Sequence, residues 1–327
     1  MNVGLYFDLR NPPSWRTDFS RLYGFTLELC QEAEHLGAHS AWFSEHHLFE
    51  DGYLTQPLTY CAAVAARTKR IRLGTAILIA PLQRPVHIAE QAVVVDLVSG
   101  GRLDLGLGTG YRIPEFELYG ASLERRYSVT DECARQLRVI WRDRRVTPPP
   151  NQERIPIWMG YQGPQGARRA GLLGEGLLSL NPDLHEPYLQ GLREAGHAAS
   201  YARMCGNIDG WISEDPEKDW PVVAKHLGYQ QDSYRRYAVE GTANPTPKAI
   251  KPDEIRARGA SRLGPYFYGD PASVAPAINA RYAGLPIECA YFWASVAGMP
   301  ERMVVENVRT ILTKLAPLLR LGRRTEP

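Results

Sequence analysis

Residues 102–110 read RLDLGLGTG, a leucine-rich run that ends in a glycine-rich turn. A doubly wound, dinucleotide-binding sheet needs a G-x-G-x-x-G turn opening a helix after its first strand, where backbone N–H groups meet a pyrophosphate. The first apolar run of this chain, NVGLYFD (2–8), has no such turn behind it. GLGTG (106–110) is the one turn of that kind, and it follows the fourth run. That position argues for a barrel.

Working outward from it, short runs rich in Val, Ile, Leu and aromatics recur along the chain. The others are SAWFSEH (40–46), RIRLGTAIL (70–78), PIWMGY (156–161), GEGLLSL (174–180), MCGNIDGWI (204–212) and ECAYFWA (288–294). Helical patterns separate them at 19–36, 56–68, 86–100, 122–141, 163–173, 185–196 and 300–319, and the 86–100 segment closes on a glycine pair, as a helix C-terminus should. About eight strands alternating with about eight helices predicts a single (β/α)8 TIM barrel spanning 1–327. One interval is too long for a simple unit. After the seventh strand the chain carries WPVVAKHLGYQQDSYRRY and then the Pro- and Thr-rich TANPTPKAIKP (242–252), so 214–264 is expected to be an insertion and a lid over the active-site face.

The 327 residues, 44% of them hydrophobic, suffice for a large core. Basic and acidic residues nearly balance, 38 against 36, and the basic runs 142–145 and 320–324 lack interleaved aromatics. Nothing electrostatic therefore favours DNA, RNA or a membrane. The five cysteines are odd in number and form no CxxC pair, which fits buried free thiols. MNVGLYFDL has no basic n-region, and no apolar run reaches the length of a membrane span, so a cytoplasmic protein is expected.

In a barrel, chemistry sits at the C-terminal strand ends. Those ends hold Phe7 and Asp8; Glu45, His46 and His47; Thr75 and Ala76; Gly108 to Tyr111; and Tyr161 to Gly163. The histidine pair admits three readings. A shared metal is disfavoured, because adjacent residues on an extended strand point to opposite faces. Proton handling fits a group that titrates near neutrality. Plain loop packing is the third. The turns Thr109–Gly110 and Gln162–Gly166 have the glycines and the helix start that suit a phosphate.

WFSEHHLFEDG, ARTKRIRLGTAIL, RPVHIAEQAVVVDLVSGGRLDLGLGTGYRIPEF and PIWMGYQGPQGARRAGLLGEG, in this order, resemble the luciferase-like flavin monooxygenase family. The resemblance is nearly collinear over 1–180 and looser over 265–320; the segment 181–264 is not diagnostic. It implies a barrel, usually dimeric, that binds reduced FMN at the strand C-termini and oxygenates a small, mainly apolar substrate with molecular oxygen through a flavin hydroperoxide. His46 takes the place of the catalytic base, with Glu45 and His47 orienting it or holding the loop. The flavin-supporting bulge, often a non-proline cis peptide, maps to Thr75, Ala76 and Ile77. Glu90 matches an acidic residue near the flavin edge, and the phosphate would lie between Thr109, Gly110 and Tyr111 and the turn of Gln162, Gly163 and Gly166. Thr109 stands where the luciferase has a phosphate-binding arginine, leaving Arg112 or Arg168 as replacements. No motif for reducing the flavin accompanies the barrel, so a separate flavin reductase is expected. Two alternatives remain: a deazaflavin-dependent hydride-transfer oxidoreductase of the same superfamily, and a flavin-binding barrel without chemistry.

Overall fold

The computed structural model describes residues 2–261 and 264–322. Eight strands, β1 (Val3–Phe7), β2 (Ser40–Phe43), β3 (Arg72–Thr75), β4 (Leu103–Gly108), β5 (Ile157–Met159), β6 (Gly176–Leu177), β7 (Met204–Ile212) and β8 (Ile287–Trp293), pair in parallel in chain order. β8 pairs with both β7 and β1, placing Phe292 opposite Ile208 and Leu5, so the sheet closes into a TIM barrel. Each strand falls on one of the apolar runs, because helices cover the outer face while side chains fill the interior. Two runs carry less strand than their composition suggests. RIRLGTAIL breaks after Thr75, and Leu78–Ile79 then pairs separately with β4. GEGLLSL contributes only Gly176–Leu177.

The covering helices are Phe19–His35, Pro57–Arg67, Pro85–Ser99, Arg126–Arg142, Gly163–Leu172, His185–Glu194, Pro271–Arg281 and Glu301–Thr310. Their ends are set locally. Asp18 accepts from the N–H of Arg21 at 2.8 Å, and Asp270 accepts from Ala272 and Ser273 at 3.0 and 3.2 Å. Gly100, at φ 70°, ends Pro85–Ser99 in the left-handed region that glycine tolerates. A short helix that the sequence reading omitted, Ile113–Tyr119, follows β4.

Among the described residues the long interval carries regular structure. It holds the helix Pro216–Val239, the helix Pro252–Arg258 and the strand Gly264–Gly269, which extends the far end of β7 in parallel. Pro216–Val239 lies back across the loop after β2, where Tyr229, Ser233, Tyr234 and Tyr237 meet residues 10 and 49–53. No helix among the described residues is long and apolar enough to cross a membrane.

The glycines of β4 and β5 make room for the broken β3 edge. A Cβ on Gly106 would sit 1.9 Å from the Thr75 carbonyl oxygen. One on Gly108 or Gly160 would sit 2.4 Å from the Ile77 side chain. Gly108→Ala should therefore cost about 1–3 kcal/mol in urea unfolding, part of it recovered by adding Ile77→Ala. Gly106→Ala, which meets backbone rather than a side chain, should cost more and show no such rescue.

Candidate functional site

Beyond Phe43 the chain leaves β2 as Ser44-Glu45-His46-His47, and the two imidazoles go to different carboxylates. His46 Nδ1 lies 2.8 Å from Glu115 Oε1, and His47 Nε2 lies 2.9 Å from Glu45 Oε1. Glu115 Oε1 also accepts the N–H of His47 at 2.9 Å, with Arg112 Nη1 at 3.4 Å. Burial alone would push the Glu115 carboxyl up. The hydrogen bond and charge of His46, the His47 N–H and the Arg112 guanidinium outweigh it and hold the group below the usual carboxylate range. An ionised carboxylate only accepts, so Nδ1 of His46 carries the hydrogen and Nε2 is the basic nitrogen of the neutral ring. Among the described residues no hydrogen bond reaches that Nε2, and the side chain keeps 11% of its surface exposed. Phe49 stacks on the ring at 4.7 Å, while Tyr53 and Tyr111 meet it edge-on at 4.8 and 5.4 Å.

Glu45 has a different task. Its second oxygen accepts the N–H of Ile79 at 2.6 Å, so it ties His47 to the segment following the break in β3. The Ala76–Ile77 peptide there is cis. The Tyr6 hydroxyl donates to the Ala76 carbonyl at 2.6 Å. Thr75 is fully committed to β4, its hydroxyl donating to Gly106 O at 2.7 Å and accepting from Gly106 N at 2.9 Å. What this bulge presents is Ile77, half-buried above Gly108 and Gly160.

The two glycine turns differ. Gly163 has φ 74° and open space where a Cβ would be, and Gln162 places no side-chain cap on the helix Gly163–Leu172. The N–H groups of Gly163 and Gln165 at its start are thus available to an anion, while Pro164 between them has none. Gly166 instead packs against Tyr161, whose hydroxyl donates to Asp131. Gly110, at φ 65°, packs against Ile79 and Phe116, beside the half-buried Thr109. Neither expected arginine is spare. Arg112 is buried and pairs with Glu115, the His47 carbonyl and Glu240, and Arg168 pairs with Glu194 on the surface. Glu90 takes part in none of these contacts; it is exposed on Pro85–Ser99, in the stripe of Val86, Val94, Leu97 and Val98. Phe7, Tyr161 and Phe292 pack in the core, leaving Tyr6, Tyr111 and Trp293 as aromatics of the mouth.

A sequence model of the family described as luciferase-like monooxygenase matches residues 2–288. The chain belongs to the luciferase-like monooxygenase family. Its relatives divide between two chemistries. It is 38% identical over 117 residues to the oxygenase component of the flavin-dependent trigonelline monooxygenase of Acinetobacter baylyi, covering 36% of this chain and 32% of that one. It is 30% identical over 225 residues to the F420-dependent glucose-6-phosphate dehydrogenase of Kineococcus radiotolerans, covering 59% and 65%. The match thus spans about a third of the first curated relatives. In fold, this luciferase-like chain is similar to the oxygenating constituent of 3,6-diketocamphane monooxygenase of Pseudomonas putida, solved with FMN, at TM-score 0.75 and 17% identity over 99% of this chain and 100% of that one.

The sequence reading of this family member missed a buried network next to His46. Arg10, just past β1, pairs with Asp51 at 2.7 Å and donates to Ser233 of the covering helix. Its guanidinium carbon lies 5.1–5.5 Å from the rings of Phe49, Tyr53, Tyr229 and Tyr234. Asp8 sits beside it with Oδ2 unpaired. Burial pushes the Asp8 carboxyl up to about 6; Arg10 pulls it down and Asp51 pushes it further up. A carboxyl held more protonated in the fold than its ordinary 3.8 supports folding fully below pH 4 and loses that contribution as pH rises through about 6. The loss amounts to about 3 kcal/mol. Asp8→Asn should therefore raise stability above pH 7 and flatten its decline between pH 4 and 7, as measured by urea unfolding across that range.

Proposed function

We propose that this chain is the oxygenase of a two-component monooxygenase. It takes reduced FMN from a separate reductase and uses molecular oxygen to oxygenate a small organic substrate with a mainly apolar body. The observation that carries the reading is the His46–Glu115 pair at the barrel mouth, which leaves Nε2 of His46 as an accessible base.

The residues present fit FMN. Gly163 and the uncapped start of its helix suit the phosphate, with Thr109 and Gly110 on the neighbouring turn. Ile77, half-buried over two glycines, offers an apolar face for a flat ring system. Reduced FMN held there would supply the electrons that activate oxygen. The protein's part is to position and to exclude water. His46 takes a proton at Nε2 from the bound substrate, while Glu115 stabilises the imidazolium by holding Nδ1–H. Glu45 and His47 hold the Ile79 segment. The helix Pro216–Val239, within the 214–264 lid, closes the mouth with Tyr229, Tyr234 and Tyr237, whereas Arg236 pairs with Glu50 at the surface. The exposed stripe of Val86, Val94, Leu97 and Val98 suits a homodimer, and the five buried free thiols suit the cytoplasm.

A second reading, hydride transfer with a deazaflavin coenzyme, draws support from the F420-dependent relatives. Anaerobic titration with reduced FMN, reduced riboflavin and the reduced deazaflavin coenzyme separates them. Reduced FMN should bind best, at least about tenfold tighter than riboflavin because of its phosphate. Tightest binding of the deazaflavin would replace the proposal with the second reading. With FMN and oxygen, His46→Ala should lower substrate oxygenation by about a hundredfold or more, and Glu115→Gln by about tenfold, read as product per flavin oxidised.

A further inference from the structure

The mouth beside His46 carries more negative than positive charge. Its buried carboxylates are Asp8, Glu45, Asp51 and Glu115; its buried guanidiniums are Arg10 and Arg112. Neutral histidines leave two charges uncompensated; protonation of both His46 and His47 brings the set only to balance. With Asp8 ionised, no state of the two histidines makes it positive. Glu240, paired with Arg112 at the rim, adds a further negative charge.

Three of these carboxylates, Asp8, Asp51 and Glu115, also keep one oxygen without a hydrogen-bond partner. A buried water could join Asp51 Oδ1 to the unpaired Nη1 of Arg10, but a water cancels no charge. The carboxamide of Gln230, whose hydrogen bonding favours the charged Asp8, is likewise a neutral donor. Asp8 is the group least provided for, since Asp51 already takes Arg10 Nε and the Tyr229 hydroxyl. Burial acts against its charge and prevails over the Arg10 guanidinium, the long contact from the Arg10 N–H at 3.4 Å and the Gln230 carboxamide, which favour it.

Asp8 lies on the side of the barrel where the proposed function brings the substrate. It lies two residues beyond Tyr6, which is half-buried at the mouth, on the same face of the extended chain. Its carbonyl accepts the N–H of Leu54, whose carbonyl accepts the N–H of His46, so both residues belong to one short backbone ladder. The nearby rings of Tyr53, Phe49 and Tyr111 turn faces or edges toward His46. Aromatic walls and an unpaired carboxylate together suit a cation.

We infer that the substrate carries a positively charged nitrogen, a protonated amine or a quaternary ammonium, with Asp8 as its counter-ion. The inference rests on the proposed placement of the substrate at His46 and names the substrate's class. It disfavours anionic substrates, for which the mouth, among the described residues, offers no surplus of positive charge.

Four probes of one shape test it on the full chain at neutral pH: benzylamine, benzyltrimethylammonium, benzyl alcohol and benzoate, with binding read by calorimetry. Both cations should bind at least about tenfold more tightly than benzyl alcohol, and benzoate most weakly. Asp8→Asn should erase the gap between the cations and the alcohol. The wild-type ranking stands as a test by itself if that variant does not fold. Equal or better binding of benzyl alcohol or benzoate, no saturable binding of either cation, or an unchanged ranking in Asp8→Asn overturns the inference. No flavin or turnover is needed, so this result stands apart from failure of the monooxygenase reading, which the flavin titration reports.

Discussion

One carboxylate oxygen holds the site together. Glu115 Oε1 is met by His46 Nδ1, the His47 N–H and Arg112, three donors from two segments. That convergence fixes the path of the chain after β2 and the tautomer of His46 at once. Remove it, and His47 loses a backbone partner while Arg112 becomes a buried cation whose main remaining carboxylate is the half-exposed Glu240. A buried charge stripped of its partner costs far more than the pair contributes, so the loop and the helix Ile113–Tyr119 stand or fall together. A general base also needs a fixed orientation, which a histidine on a free loop would lack.

The helix Pro216–Val239 is held in the same way. Arg10 and Arg112 approach Phe49 at 5.4 and 4.7 Å, and each reaches Pro216–Val239 or the residue just after it, through Ser233 and Glu240. The helix Pro216–Val239 is thus held across the loop after β2 largely by cations packed on rings and paired with carboxylates. Such contacts strengthen as water is excluded from them. Asp8 is the member of the network that these cations leave underserved.

The fold was legible because strands buried on both faces leave continuous apolar runs, and all eight were readable as such. The Gly100–Gly101 pair marked a helix end correctly for the same local reason. The break at Ala76–Ile77 was not visible in composition, since RIRLGTAIL is apolar throughout; the resemblance supplied it. Glu115 was missed because its partner lies 69 positions away, and a lone glutamate in RIPEF looks like a surface residue. Arg10 and Asp51, 41 positions apart, look like loop charges until the fold buries them against each other. Gly108 showed only as a strand-end residue, and the geometry gives it the task of making room for Ile77. Position relative to a strand end was readable. Which side chain pairs with which was not.

The most direct test of the account is the reoxidation of reduced FMN on the protein. The chain is loaded anaerobically, mixed with oxygen in a stopped-flow instrument, and followed by the return of oxidised-flavin absorbance. The account predicts a return clearly slower than that of free FMN, and faster again in Glu115→Gln, where the hold on His46 is weakened. Reoxidation at the rate of free flavin, with no difference between wild type and variant, would contradict it.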